Sequence, residues 1–316
     1  MSHPMVAKVL TRLPQVFLGV VAIVLMARTD RFFTPTTLGS ILKLASIVGV
    51  LAAGQAFVLI GGGFDLSQGA ALGLVAACTA WLSTQGLPVP LLLASALGLG
   101  GFLGSINGFF VATARTNAFV TTLSTLLIFR GTTFALLAGQ PIANVRAFLL
   151  LDEGITIGPA LIAWRSVIFL SFVGVAWVIL RRTVFGQHLY ATGGNAEAAR
   201  LAGIRTTRVR IASFAISGMS AGLAAILLLS WVRLAKPDTG TGYELDAIAA
   251  CVVGGVSLQG GAGSVLGAAL GALLLQSLGT LITMSRFPDE YRNLVTGAVI
   301  LTFATADAMA RRSDRR

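Results

Sequence analysis

Charge is what this sequence has least of. Asp, Glu, Lys and Arg supply 11% of its 316 residues, against about 25% in a soluble domain. Residues 44–64, 66–114, 211–232 and 247–285 contain none of the four. With 55% apolar residues and a mean hydropathy of +0.86, water cannot be the chain's main solvent. Cysteine and histidine are equally scarce. Cys78 and Cys251 lie in apolar runs, where Cys behaves as a small hydrophobe. His3 and His188 stand alone, so neither a disulfide framework nor metal-ligand spacing is present. No Ser/His/Asp or Cys/His set falls on one face, which argues against bond chemistry. Lys8, Lys43 and Lys236 follow Ala, Leu and Ala. The Gly-Lys-Ser/Thr of a phosphate-binding loop is therefore missing, and with it any P-loop ATP site.

What is present is length of apolar run. A spanning helix needs about 20 apolar residues, and the second and fourth uncharged runs each have room for two. The pattern predicts an all-α, polytopic integral membrane protein with about ten transmembrane helices. They fall near 13–27, 38–60, 66–83, 90–113, 118–137, 164–180, 210–232, 245–258, 263–284 and 291–308. Pro35, Pro88, Pro90, Pro141, Pro159, Pro237 and Pro288 punctuate the breaks. The first run follows Lys8 and Arg12 without a small-residue cleavage site, which reads as an uncleaved anchor. The eighth segment, at about 14 residues, is short for a pass and reads as a short or broken spanning helix.

With the N-terminus inside, most of the 23 basic residues fall on the inner side: Lys8, Arg12, Arg115, Arg181, Arg182, Arg200, Arg205, Arg208, Arg210, Arg311, Arg312, Arg315 and Arg316. The positive-inside rule then puts both termini in the cytoplasm. Only Lys43 and Arg130 are left inside spans. The net charge of +11 suits a face against anionic membrane lipid and calls for no nucleic acid. Gly98, Gly100, Gly101 and Gly104 lie inside an apolar helix, and Gly263, Gly267 and Gly271 form a second small-residue face. Both sets read as helix packing.

The longest inner segment runs from Arg181 to Arg210. Within it Asn195 is a good N-cap, Glu197 suits the positive end of the helix that follows, and Gly203 suits its stop. The intervening Ala196, Ala198 and Ala199 make a thin helix able to enter a groove on another protein. This loop resembles the coupling motif of ABC importer permeases, in the form typical of the ribose/xylose/galactose-type sugar permeases. The resemblance continues at Gly62-Gly63-Phe64-Asp65-Leu66-Ser67-Gln68-Gly69, at Phe119–Leu123 with Arg130-Gly131, and at Gly242-Tyr243-Glu244-Leu245-Asp246-Ala247-Ile248-Ala249-Ala250 with Gly254-Gly255 and Gly260–Gly263. The blocks cover about residues 40–285, in the family's order. Phe64, Gln68 and Thr121 depart from its usual residues and bear on the substrate.

The resemblance implies one permease domain over 1–316 with a coupling loop at 181–210, lodged multi-pass in a bacterial inner membrane. It implies a cytoplasmic ABC ATPase subunit that binds the ATP, a periplasmic solute-binding protein, and a second permease copy or paralogue. The chain itself would hold no cofactor. The cargo would be a monosaccharide or similar small polar solute. A branched-chain amino acid or nucleoside permease is the alternative, and a secondary carrier a more distant one. Asn195, Ala196, Glu197, Ala198, Ala199, Gly203 and Ile204 are the expected ATPase contacts. Asp65, Asn117, Thr122, Arg130, Glu244 and Asp246 are candidate pathway or structural polar residues, Asp65 either capping the third helix or meeting a solute hydroxyl. Arg28, Arg31, Arg233, Lys236, Arg286 and Arg292 either dock the binding protein or pair with neighbouring acids.

Overall fold

The computed structural model describes residues 29–285 and, beyond them, Leu294, Gly297, Ala298, Leu301, Thr302 and Thr305. The helices expected at 13–27 and 291–308 lie outside the described residues, apart from those isolated helical positions. The eight expected helices between them are all found. They are α1 (Pro35–Ile60), α2 (Gln68–Thr84), α3 (Val89–Ala112), α4 (Ala118–Leu136), α5 (Trp164–Arg182), α8 (Thr206–Val232), α9 (Tyr243–Val253) and α10 (Val265–Met284). Two short helices, α6 (Val184–Gly194) and α7 (Ala196–Leu201), occupy the 181–210 loop. Among the described residues α1, α3, α4, α5, α8 and α10 are long and apolar enough to cross a membrane.

Local chemistry sets the helix starts. Thr34 accepts from Thr37 N at 3.3 Å with Pro35 following, Asn117 accepts from Phe119 N at 2.9 Å, and Ser264 accepts from Gly267 N at 2.9 Å. Each satisfies donors that a helix start leaves unpaired. Every residue of α1 from Ala45 to Ile60 is buried, so α1 is the central post. A helix apolar on all sides suits that place.

The α3–α8 crossing is made by glycine. A Cβ added to Gly100 would lie 2.3 Å from Gly218 O, one on Gly104 2.1 Å from Phe214 O, and one on Gly222 2.3 Å from Ala96 O. The two backbones thus touch along i, i+4 rows, the close approach that small residues permit. Gly98, by contrast, faces open space. Gly267 and Gly271 likewise meet Gly254, which caps the end of α9, and Ala250 of α9, while Gly263 sits in the loop before α10 with φ +133°.

The eighth segment is broken. Its helix has 11 residues, Tyr243–Val253, or about 16 Å of rise, too little for a hydrocarbon core of about 30 Å. The expected stretch to 258 is instead a glycine-rich loop, with Gly255, Gly260 and Gly261 at positive φ. The segment between α4 and α5 carried no strand signal, yet it holds three short strands that enter two small antiparallel ladders, one of them with a strand from the loop after α8. Strand β1 (Ile142–Ala143) pairs with β4 (Leu234–Ala235), and β2 (Gly154–Ile157) with β3 (Ala160–Ala163). This hairpin cap closes on the N-terminal end of α1, where Lys43 Nζ meets Asp152 Oδ1 at 2.9 Å and Arg165 Nη2 meets the same oxygen at 3.4 Å. Lys43 is therefore paired within reach of the cap rather than lone inside a span. Arg165 also lies over the Trp231 ring at 5.4 Å.

Candidate functional site

Two helices begin inside the protein, and their N-termini meet. Gln68, the first residue of α2, donates from Nε2 to Leu51 O and Ser220 Oγ, each at 3.0 Å. Leu51 lies nine residues before the end of α1, about 13 Å along its axis, so α2 starts well within the bundle. The 239–244 segment packs on the first turns of α2. A Cβ on Gly69 would lie 1.9 Å from Glu244 Oε2, and one on Gly73 would lie 2.3 Å from Thr239 O. Glu244 Oε1 accepts from Gly242 N at 3.3 Å, and Oε2 has no hydrogen-bond partner among the described residues. A carboxylate so placed faces the positive end of α2. From α4, Arg130 Nη1 donates to Thr239 O at 3.2 Å and to Thr241 Oγ1. Arg130 is 12 residues into the 19-residue α4, about 18 Å from its start, so the meeting point sits well inside the bundle. Broken helices whose ends converge there are the form that solute sites take in many transporters.

Asp65 approaches α2 from the other side. Its Oδ1 accepts from Ser67 N at 2.9 Å and Ser67 Oγ at 2.7 Å, and its Oδ2 accepts from Ser217 Oγ at 2.9 Å. Asn107 Nδ2 donates to Ser67 Oγ at 2.7 Å. Ser67 is the N-cap residue, so Asp65 steadies the cap rather than supplying it. Arg130, Glu244 and Asp246, in the first turn of α9, gather at the crossing. Asn117 and Thr122 do not: Asn117 caps α4 at its start, and Thr122 Oγ1 donates to Ala118 O at 2.8 Å. Thr239, Thr241, Ser217 and Asn107 went unnoticed in the sequence. For Ser217 and Asn107 the one signal was polarity inside uncharged runs, which Ser also shows when it merely bonds back along a helix. Thr239 and Thr241 sit among the charged residues of the 233–246 segment, where a threonine carries no signal.

At the opposite end of α1, α6 and α7 form a compact bracket. Thr183 caps α6 by accepting from Gly186 N at 3.3 Å. Asn195 caps α7 by accepting from Glu197 N at 3.1 Å and Ala198 N at 2.9 Å. Gly203 ends the turn with φ +86° and open space around it. Arg200, by hydrogen bond and charge, holds Glu197 below the usual carboxylate range. Burial raises the Tyr190 phenol above its ordinary value, and its hydroxyl donates to Gly263 O at 2.7 Å. Of the residues expected to meet an ATPase, Glu197 and Ala198 face outward together with Arg200 and Leu201, whereas Ala199 is 5% exposed and faces the protein.

Residues 37–304 match the family described as branched-chain amino acid transport system / permease component. The chain belongs to this permease family. It is 36% identical over 293 residues to the ribose import permease protein RbsC of Haemophilus influenzae, covering 91% of this chain and 89% of the relative. It is 36% identical to RbsC of Escherichia coli K12, covering 88% of each. It is 35% identical to the autoinducer 2 import system permease protein LsrC of Escherichia coli K12 / DH10B, covering 92% and 85%. No solved structure matches. Like these relatives, the chain is a transport component rather than an enzyme, and a multi-pass protein of the bacterial inner membrane.

On the permease's hairpin end, Arg31 and Arg233 are exposed at positive φ, 64° and 56°. Lys236 pairs with Asp238 at 3.1 Å. Arg28, Arg286 and Arg292 lie outside the described residues.

Proposed function

We propose that the permease moves a monosaccharide or similar small polar solute inward, driven by ATP that a partner subunit hydrolyses. The observation that carries this is identity of 35–36% along about nine-tenths of the chain to permeases named for ribose and autoinducer 2 import. The broken-helix crossing supports it physically. Arg130, Thr241, Glu244 and Asp246 supply hydrogen-bonding groups suited to hydroxyls at a depth where isolated polar groups are costly. The family description favours a second reading, a branched-chain amino acid cargo, but neither set of relatives above carries that name.

In this reading the chain is one domain over 1–316, with ten spans and both termini inside, and the α6–α7 bracket lies in the cytoplasm. The bracket meets an ABC ATPase, the hairpin end meets a periplasmic solute-binding protein, and a second permease copy or paralogue completes the pathway. No cofactor resides in the permease, and ATP stays with the ATPase. Closure of the ATPase displaces the bracket and switches the crossing between outward and inward access. Reconstitution with an ABC ATPase and a solute-binding protein from the same organism, followed by uptake of labelled ribose, tests the reading. Uptake of leucine but not of sugars would overturn it.

A further inference from the structure

Resting on that reading, the geometry points to a transmission joint between the bracket and the two broken helices, and we propose that Tyr190 and Gly193 are its positioning residues. Helix α6 lays one face on the end of α1 at i, i+4, i+8 spacing. Phe185 stacks on Phe57 with ring centroids 6.3 Å apart. The Leu189 methyl lies where a Cβ on Gly61 would be 2.9 Å away, and a Cβ on Gly193 would lie 1.8 Å from Ile60 O. At the same place a third chain segment crosses. Gly261 N donates to Ile60 O at 2.8 Å, and a Cβ on Gly260 would lie 2.7 Å from Gly193 O and 2.8 Å from Gly62 Cα. Tyr190 Oη then donates to Gly263 O at 2.7 Å.

Three glycine segments therefore touch backbone to backbone. One, 61–67, leads from α1 through Asp65 and Ser67 to the start of α2. Another, 254–264, leads from the end of α9 to α10. The third is the end of α6, which continues through Asn195 into α7. Any movement of α7 is thus delivered to the segment that leads into α2 and to the segment that leaves the far end of α9, the two helices whose starts form the crossing, through the Tyr190 bond and the Gly193 backbone contacts. Side chains at the joint would keep the segments apart, and Gly62, Gly260 and Gly261 also hold positive φ that other residues adopt at a cost.

The test is solute imported per ATP hydrolysed by the whole complex in liposomes. Tyr190→Phe removes one hydroxyl and nothing else. Loss of a net hydrogen bond of ordinary strength predicts a ratio lower by about five-fold, with ATPase turnover and membrane abundance retained. Gly193→Ala is expected to lower it at least as far, whereas Gly194→Ala, whose Cβ meets nothing within 4 Å, is expected to leave it unchanged. If Gly193→Ala is lost from the membrane, Tyr190→Phe alone decides. A wild-type ratio in Tyr190→Phe overturns the joint. Absence of ribose uptake in the wild type overturns the function instead.

Discussion

At the hairpin end of α1, two cations close on one carboxylate: Lys43 and Arg165 share Asp152, and Arg165 is 1% exposed. At the other end, Ile60, Gly193 and Gly261 meet by backbone alone, with one hydrogen bond between them and one from Tyr190 beside them. The two fastenings obey different physics. An ion cluster built on a buried cation is strict, because displacement leaves the desolvated Arg165 without its partner, although Lys43 and Asp152 are 22% and 24% exposed. The glycine crossing itself has no side chains to interlock, its hydrogen bonds are of ordinary net strength, about 1 kcal/mol each, and the Phe185 and Leu189 contacts beside it are apolar and non-directional, so it shifts at less cost than an ion cluster. One end of the central post is held by charge and the other by contacts that tolerate displacement, which is what the proposed transmission of motion from the bracket requires.

The largest effect should come from the anchored end. Asp152→Ala leaves Lys43 and Arg165 facing each other, and Arg165 Nε and Nη1 already lack partners among the described residues. Breaking a fully buried pair costs about 3–5 kcal/mol; with Asp152 24% exposed and only Arg165 fully buried the loss is smaller than that, yet the apparent melting temperature in detergent should still fall further than in any joint variant. A larger fall in Gly193→Ala would reverse the contrast between the ends.

Asp65→Ala should rank next. It strands the Ser67 N–H and hydroxyl and the Ser217 hydroxyl in a site only 2% exposed, at about 1–3 kcal/mol for each buried unsatisfied group. Because the 61–67 segment links the bracket end of α1 to α2, both melting temperature and uptake should drop. Asp65→Asn, which keeps the acceptor oxygen, should retain more of both. Equal losses in the two variants would mean that charge, not hydrogen bonding, holds the segment.

Helix positions were legible because long uncharged runs and proline breaks are strong local signals, and the Asn195 and Gly203 caps were legible for the same reason. The brokenness of α9 was half-legible: its shortness showed, but where Glu244 points depends on Gly69, far away in sequence. The hairpin cap was illegible. Strands of two to four residues such as Ile142–Ala143 and Leu234–Ala235 carry no alternation to read. Lys43 looked anomalous in the sequence, and its partner Asp152 lies in that unread cap. The glycine joint was hidden differently, since Gly193 and Gly260 look like ordinary turn residues until the segments that cross them are in place.

The outward face of α7 allows a sharper division of the bracket end. Ala198 is exposed and Ala199 is 5% exposed, one residue apart on a six-residue helix. Ala198→Trp should reduce uptake several-fold with an unchanged melting temperature, because the ring lies on the surface proposed for the ATPase. Ala199→Trp should lower the melting temperature as well, since overpacking a filled site costs about 1–3 kcal/mol. Matching behaviour in the two variants would mean that this surface is not where the partner sits.

The smallest effect is expected at Lys236, and it tests whether charge at the hairpin end matters only when buried. Lys236 and Asp238 are 51% and 66% exposed, two residues apart, in water rather than against Arg165. Pairs of that kind contribute about 0–1 kcal/mol, and salt screens them over about 10 Å at 0.1 M. Lys236→Ala should therefore leave the melting temperature within error of the wild type, where Asp152→Ala does not. Lys236 already has Asp238 beside it, so docking of an acidic partner should suffer little too. The half-saturating concentration of binding protein in liposome uptake should change by less than about two-fold, the scale of a single screened surface charge. A rise of ten-fold or more that disappears in high salt would show that the exposed cation contacts the partner directly. The contrast between the ends of α1 would then need a third term, a face where charge acts between molecules rather than within one.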